Sequence, residues 1–178
     1  MPLPTPLLRN AAVLVPVYRD AAGALRLVLI RRTAFGVHGG QLAFPGGKQE
    51  PRDASLQATA LREAEEEIGL PAAQVQVLAA LPAIVAQVSG FRIWPFLGRI
   101  MPPTRWTPQP TEVEEVLDVA VADLLAPGAH ATEAWQLPQW SSLSQVSFYR
   151  VGPYPLWGAS YLMVQPLLPR LLAGEWAV

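Results

Sequence analysis

The chain has 178 residues, of which 51% are hydrophobic and 15% are charged, and its formal net charge is -1. This balance fits one globular domain with a single core and excludes an intrinsically disordered chain. The nearly neutral charge and the dispersed arginines give no broad attraction for nucleic acid or for an anionic membrane. The sequence has no cysteine and two histidines, which excludes disulfides, thiolate catalysis and multi-histidine metal sites.

The first residues of the chain do not resemble a targeting segment. They contain several prolines and a single arginine, unlike a signal or transit peptide. No uncharged apolar run approaches the roughly 20 residues that span a bilayer. We therefore expect a cytoplasmic monomer or homodimer without a membrane or nucleic-acid partner.

The N-terminal third predicts a hairpin, a loop and a short strand. Residues 11–18 and 25–31 are apolar and valine-rich or leucine-rich, and a turn-forming segment at 20–23 separates them. Residues 33–41 contain three glycines and predict a loop, and residues 41–44 predict a short strand that ends before two glycines.

A helix is predicted at residues 54–68, with Asp53 as its N-cap and Gly69 just past its end. Its apolar residues fall on one arc of a helical wheel: Ala60, Leu61, Ala64 and Ile68. The remaining chain predicts further elements in this order: strands at 75–81 and 91–100, a proline-rich loop at 102–110, a strand at 111–119, a short helix at 121–125, a loop containing His130, a strand at 145–151 and an amphipathic helix at 158–172. This order predicts a mixed sheet flanked by helices in one domain.

Three glutamates share the polar face of the first helix. Glu63, Glu66 and Glu67 are three and four residues apart, whereas Glu65 points elsewhere and is expected to be solvated. A like-charge pair four residues apart costs a helix roughly 0.2–0.5 kcal/mol unless a cation neutralises it. In isolation such a cluster is ordinarily a solvated surface. Its position after Phe44-Pro-Gly-Gly47 and beside Arg62 favours a site for a divalent metal instead.

The segment that contains these residues resembles the Nudix box. The second half of the box, Arg-Glu-apolar-any-Glu-Glu-any-Gly-apolar, matches Arg62 to Leu70 at every defined position, and Gly47 matches the leading glycine. Asp53 stands where the box usually has glutamate, with eight rather than seven residues before Arg62. The resemblance implies the Nudix fold, an α+β arrangement (an α/β/α sandwich with a mixed β-sheet flanked by helices), over residues 1–178, with the box at about 46–70.

The resemblance also implies a catalytic site. It assigns Mg²⁺ or Mn²⁺ to Gly47, Glu63, Glu66 and Glu67, with Arg62 pairing with a glutamate to fix its rotamer. The general base stays open between a box glutamate and a carboxylate of a remote loop, for which the candidates are Glu112, Glu114 and Glu115. These last three are equally compatible with solvated charges at a strand edge.

Upstream of the box, the chain is similar to the motif of coenzyme A pyrophosphatases. The matching positions are Arg31, His38, Gly40, Gln41 and Phe44 to Gly47. The similarity implies cleavage of the coenzyme A diphosphate to 3′,5′-ADP and 4′-phosphopantetheine. It assigns substrate binding to Arg31, His38 and Gln41, although Gln41 fits a strand-edge amide equally well.

One position departs from this motif and keeps other substrates open. Gly36 stands where the motif normally has its second arginine, and Arg32 is the neighbouring cation that could replace it. The first alternative is a Nudix pyrophosphatase for ADP-ribose, NADH or a nucleoside triphosphate. The second is a non-catalytic nucleotide sensor, which the presence of all three box glutamates disfavours.

Overall fold

The computed structural model describes residues 8–35, 38–86, 89–137 and 142–178. Gly36, the position that departs from the upstream motif, lies outside the described residues. In chain order the elements are β1 Arg9–Arg19, β2 Leu25–Arg32, β3 Leu42–Ala43, β4 Gly46–Lys48, α1 Leu56–Ile68, a 3₁₀ helix Ala72–Gln74, β5 Val75–Ala80, β6 Ile84–Ala86, β7 Phe91–Ile100, β8 Val113–Ala120, α2 Val121–Leu125, β9 His130–Trp135, β10 Ser144–Val151, β11 Tyr154–Leu156 and α3 Gly158–Leu172.

An eight-stranded mixed sheet forms the centre of the molecule. Five of its strands follow the order β3-β2-β1-β7-β5, and β4, β6 and β8 pair with β1, β7 and β2. β1 and β7 are parallel along nine registered pairs, from Arg9 opposite Phe91 to Val17 opposite Arg99. The other pairs in this sheet are antiparallel. The expectation of a mixed sheet is confirmed.

On the edge away from β7, β1 changes its partner halfway along. Its second half pairs with β2 from Val17 to Arg19, and its first half pairs with β4 from Ala11 to Val13. Between them, the N–H of Leu14 donates to the carbonyl of Pro45 at 2.9 Å. β1 and β2 therefore diverge, and the Pro-Gly-Gly segment lies in the gap between them.

The two faces of the sheet pack against different layers. Ala12, Leu14, Val28 and Ile30 join the buried residues of α1 in one core cluster. Val15, Val17, Leu27 and Leu29 join α2, α3 and the strands β10 and β11 in the other. Alternate residues of a strand face opposite sides, so β1 and β2 supply both cores. The predicted layers of helix, sheet and helix are present.

A second sheet of three antiparallel strands, β11-β10-β9, completes the side that holds α3. The sequence-based loop at His130 is wrong, because this residue begins β9 and pairs with Tyr149 of β10. Its Nε2 lies 2.9 Å from the hydroxyl of Tyr161 on α3. The short strands β4, β6 and β11 were not predicted either.

The start of α1 also differs from the prediction. The helix begins at Leu56, and Ser55 is its N-cap, with a hydroxyl that accepts from the N–H of Ala58 at 3.1 Å. Asp53, the predicted N-cap, makes side-chain contacts described below. The C-terminal prediction is confirmed, because Gly69 adopts the left-handed conformation with φ of 69°.

The last helix, α3, carries prolines at 166 and 169 and buries Met163, Val164, Leu167 and Leu168 against the sheets. None of the helices in the described ranges combines the length and apolar character needed to cross a membrane.

Candidate active site

Glu67 of α1 is a buried carboxylate that touches the Gly-Gly segment. Its residue is 2% exposed, and its Oε2 accepts a hydrogen bond of 2.8 Å from the N–H of Gly46. Burial raises the pKa of Glu67 to about 7, against the opposing effects of that hydrogen bond and the positive charge of Arg32. Nη1 of Arg32 lies 3.9 Å from Oε1 of Glu67. A buried anion with so little compensation is poised to accept a cation or a proton.

Glu63 lies one turn earlier and meets the second glycine. A Cβ atom on Gly47 would fall 2.4 Å from Oε1 of Glu63, so only glycine leaves room for the carboxylate at this distance. Burial raises the pKa of Glu63, while the guanidinium of Arg62, 3.0 Å away, acts in the opposite direction. A buried carboxylate, Glu67, and a partly buried one, Glu63, therefore converge on β4 from one helix face.

The other two glutamates of the helix are in a different environment. The side chain of Glu66 is 50% exposed and is 2.9 Å from Arg62 and 3.2 Å from Arg52. Glu65 is exposed, as predicted. Glu66, a predicted metal ligand, is thus held by arginines in this structure, while Glu63 and Glu67 turn towards the glycines.

Arg62 fixes the helix to the preceding loop through Asp53. Its Nε and Nη2 donate to the two carboxylate oxygens of Asp53 at 2.8 and 3.0 Å. The side chain of Asp53 is almost fully buried, and its carboxylate also accepts from the hydroxyl of Thr59 at 2.9 Å. The hydrogen bonds from Arg62 hold the pKa of Asp53 well below its ordinary value. The shorter acid at this box position still makes the bidentate pair that fixes a guanidinium.

The loop before β8 brings Glu112 to the same place. The N–H of Gln109 donates to the backbone carbonyl of Glu67 at 2.9 Å, and Thr33 N–H donates to the carbonyl of Glu112 at 3.0 Å. The negative charge of Glu112 is among the causes that raise the pKa of Glu63 and of Glu67. A third carboxylate therefore acts on the pair from a loop distant in sequence.

Glu114 and Glu115, the other two candidates for the general base, pair with Arg31 instead. Nη2 of Arg31 is 2.8 Å from Glu114, and its Nε is 3.4 Å from Glu115. The Arg31 guanidinium also lies 4.8 Å from the ring centroid of Tyr154 on β11. Arg31 and Arg32 are consecutive strand residues on opposite faces. Only Arg32 contacts the box helix, although sequence reasoning proposed both for substrate binding.

A cavity of about 400 Å³ opens beside the glycines. Three of the four predicted substrate-binding residues, Arg32, His38 and Gln41, line it together with Gly46 and Gly47. The upstream motif and the first part of the box thus share one space.

Sequence reasoning missed other residues that line this cavity. Lys48 lines it from β4, and more than a hundred residues later Trp157, just before α3, and Ser160 and Met163 of α3 line it too. The segment from Leu156 to Ser160 gave no usable signal, because its residue types do not indicate chemistry by themselves.

Within the described ranges, no three Asp, Glu or His side chains stand in an arrangement that already encloses a metal ion. The donors at this position nevertheless fit a hard divalent cation, because Mg²⁺ and Mn²⁺ prefer oxygen ligands. Glu67, which is buried, and Glu63, which is partly buried, provide two carboxylates beside the backbone of Gly46 and Gly47.

The NUDIX domain profile matches residues 8–150. Proteins named "uncharacterized Nudix hydrolase NudL" from Salmonella paratyphi B and Salmonella newport are 42% identical over 122 residues, or 68% of this chain. The match spans 62% of the length of these relatives.

Solved structures show the same fold. A Nudix hydrolase from M. smegmatis, RenU, aligns with a TM-score of 0.65 and 21% identity, covering 96% of this chain and 89% of its own. The NUDIX domain of Shewanella oneidensis NrtR, solved with ADP ribose, aligns with a TM-score of 0.53 and 19% identity over 70% of this chain and 80% of its own. At these identities the likeness concerns the fold alone.

Proposed function

The chain belongs to the Nudix family, and we propose that it hydrolyses the diphosphate of coenzyme A or its derivatives to 3′,5′-ADP and 4′-phosphopantetheine. One observation carries this proposal: residues of the coenzyme A motif line a cavity whose wall, Gly46–Gly47, also contacts the box carboxylates Glu63 and Glu67. A substrate bound in the cavity would have its diphosphate within reach of those carboxylates.

Glu63, Glu67 and the backbone of Gly47 would hold Mg²⁺ or Mn²⁺, with Glu66 as a further donor. When bound, the ion neutralises charge on the phosphoryl oxygens and makes water more acidic. Burial favours metal binding, because folding has already removed most of the hydration of these carboxylates and the cation compensates for that loss.

The reaction adds one water across the P–O–P bond. The water oxygen bonds to one phosphorus, the bridging oxygen leaves with the other phosphate, and the two protons of the water are shared between the base and the products. Glu112 is the side chain we assign to accept the first proton, because its charge acts on both Glu63 and Glu67. Arg32 and Lys48, the two cations that line the cavity, would bind phosphate oxygens.

Hydrolysis of coenzyme A with Mg²⁺ tests the proposal, with both products resolved chromatographically. We expect kcat/KM for coenzyme A to exceed that for ADP-ribose and NADH by about tenfold, the usual value of one added charge-assisted contact. Equal or faster hydrolysis of ADP-ribose would overturn the substrate assignment and leave the pyrophosphatase assignment standing. No hydrolysis of any of these substrates would favour a nucleotide sensor.

The two histidines of the sequence provide a matched pair of variants. His38 lines the cavity, whereas His130 lies on β9 against Tyr161. We expect His38→Ala to raise KM for coenzyme A about fivefold, as the loss of one hydrogen bond would. His130→Ala should leave KM unchanged, and an equal effect of both would argue against a substrate contact at His38.

A further inference from the structure

The cavity beside the carboxylates has walls of different character. The cations that line it in the described ranges are Arg32 of β2 and Lys48 of β4, and Arg32 contacts Glu67 of α1. The walls from β6, β7 and α3 with the residue before it are largely apolar, and their apolar contributors are Ala86, Phe91, Ile93, Trp157, Ala159 and Met163. No acidic or basic side chain of these three elements lines the space in the described part of the chain.

The two glycines of β4 connect this apolar space with the carboxylates. The N–H of Gly46 donates to Glu67, and the missing side chain of Gly47 leaves room for Glu63. Both glycines also line the cavity. If the phosphates of a substrate lie at the carboxylates, one of its two ends therefore lies next to the cavity.

We propose that this cavity binds the uncharged arm of the substrate, the pantetheine chain, and that the adenosine 3′,5′-bisphosphate half lies outside it. The inference rests on the proposed function and names which half of the substrate each region takes. Placing an ionised phosphate against the walls from β6, β7 and α3, which hold no cation in the described part of the chain, is strongly unfavourable. The adenosine half carries an additional phosphate, whereas the pantetheine chain beyond its own phosphate carries no charge.

The walls also provide partners for the amides of such an arm. The hydroxyl of Ser160 donates to the carbonyl of Leu42 at 3.4 Å, and that of Ser89 donates to the carbonyl of Ala86 at 3.2 Å. Each hydroxyl oxygen therefore keeps acceptor capacity for an amide N–H. α3 begins without a side-chain cap, so N–H groups of its first turn can donate to amide carbonyls.

Binding of the two halves separates this proposal from its alternative. Pantetheine and 3′,5′-ADP are titrated into the wild-type protein and into Met163→Trp, without divalent metal, followed by ligand-observed NMR. Met163 is 5% exposed and lines the cavity, so the larger side chain occupies the space. We expect the variant to weaken pantetheine binding about tenfold and 3′,5′-ADP binding less than about twofold.

Leu162→Trp is the matched control, because Leu162, the neighbour of Met163 on α3, is 54% exposed. This substitution is expected to leave both affinities unchanged. Thermal unfolding verifies that each variant is folded, and Ala159→Leu replaces Met163→Trp if the latter is not. Failure of the wild type to bind pantetheine, or an equal loss for both halves, overturns the proposal. Absence of coenzyme A hydrolysis by the wild type would instead overturn the proposed function, so the two failures are distinguishable.

Discussion

Glu66 and Glu67 are adjacent residues of the same helix, yet their surroundings differ in every respect that matters for chemistry. The Glu66 side chain is half exposed and pairs with Arg52 and Arg62. Glu67 is 2% exposed, accepts from the N–H of Gly46, and has a pKa raised to about 7 by burial. Successive side chains point in directions about 100° apart around the helix axis, so Glu66 faces the solvent while Glu67 faces the sheet.

The difference shows that the box motif alone does not rank its glutamates. The structure ranks them by what each carboxylate loses on burial and what replaces its hydration. Glu66 is compensated by two guanidinium groups. Glu67 accepts a hydrogen bond from Gly46 and has the guanidinium of Arg32 at 3.9 Å, so a bound cation has more to gain there.

The strongest way to break this comparison is to remove each carboxylate. We expect Glu67→Gln to lower kcat about 10³-fold, because a metal site supplies several kcal/mol of charge stabilisation in the transition state. Glu66→Gln is expected to cost about tenfold, as for a weakly held ligand. Steady-state kinetics with saturating Mg²⁺ give both values.

Glu65→Gln is the control on the same helix, since Glu65 is exposed and should retain full activity. Equal losses for Glu66→Gln and Glu67→Gln would show that burial in the metal-free state does not rank the ligands.

The raised pKa of Glu67 predicts a pH-dependent difference in stability. The ordinary pKa of 4.5 applies in the unfolded chain and about 7 in the folded one, so the folded state binds the proton more tightly. The free energy of unfolding without metal should therefore fall by about 3 kcal/mol between these pH values, relative to Glu67→Gln.

Urea unfolding of both proteins across this pH range measures the difference. The stability contributed by protonated Glu67 should be fully present below its pKa in the unfolded chain and lost as the pH rises through its pKa in the folded protein. Added Mg²⁺ should oppose the loss by binding the ionised form. A difference that does not vary with pH would show that Glu67 is ionised at no unusual cost.

A side chain at position 47 would move the Glu63 carboxylate without changing its charge, which tests the comparison by position rather than by charge. A Cβ at this position would meet the carboxylate, which is the flexible end of its side chain. We expect Gly47→Ala to lower metal affinity about tenfold while the melting temperature changes little. Isothermal titration with Mn²⁺ measures the affinity.

Gly98→Ala provides the contrasting case, since its Cβ would lie 2.8 Å from the side chains of Leu14 and of Val75 in the core. This variant should lower the melting temperature and leave metal affinity unchanged. The reverse pattern would place the metal away from Glu63.

Periodicity predicted the fold wherever an element is long. The helix ending at Gly69 and the strands β1, β2 and β7 each cover enough residues for their pattern to appear. The three-residue strands β4, β6 and β11 have no measurable period, and their pairing depends on distant partners. Asp53 and Ser55 are both good N-cap residues, and the long-range pair with Arg62 decided between them.

The site was predictable as a set of residue types and less so as an arrangement. The helix wheel separated Glu65 from the other glutamates, because this requires local geometry alone. The distinction between Glu66 and Glu67 needs the position of Gly46, which follows from the divergence of β1 and β2. Met163 lines the cavity from the far end of the chain, and no local pattern indicates that.

Arg52→Gln is expected to have the smallest effect and addresses what holds Glu66. The Arg52 side chain is 64% exposed and pairs with Glu50 and Glu66, and exposed ion pairs contribute about 0–1 kcal/mol. The free energy of unfolding should change by less than about 0.5 kcal/mol. Mn²⁺ affinity should rise up to about threefold, because the Arg52 guanidinium no longer competes with the metal for Glu66. Arg150→Gln, which removes an exposed pair with Glu133 on the second sheet, should change neither quantity beyond its own small stability cost. A fall in Mn²⁺ affinity on Arg52→Gln would mean that Arg52 positions Glu66 for the metal, and the contrast with Glu67 would then disappear in the metal-bound protein.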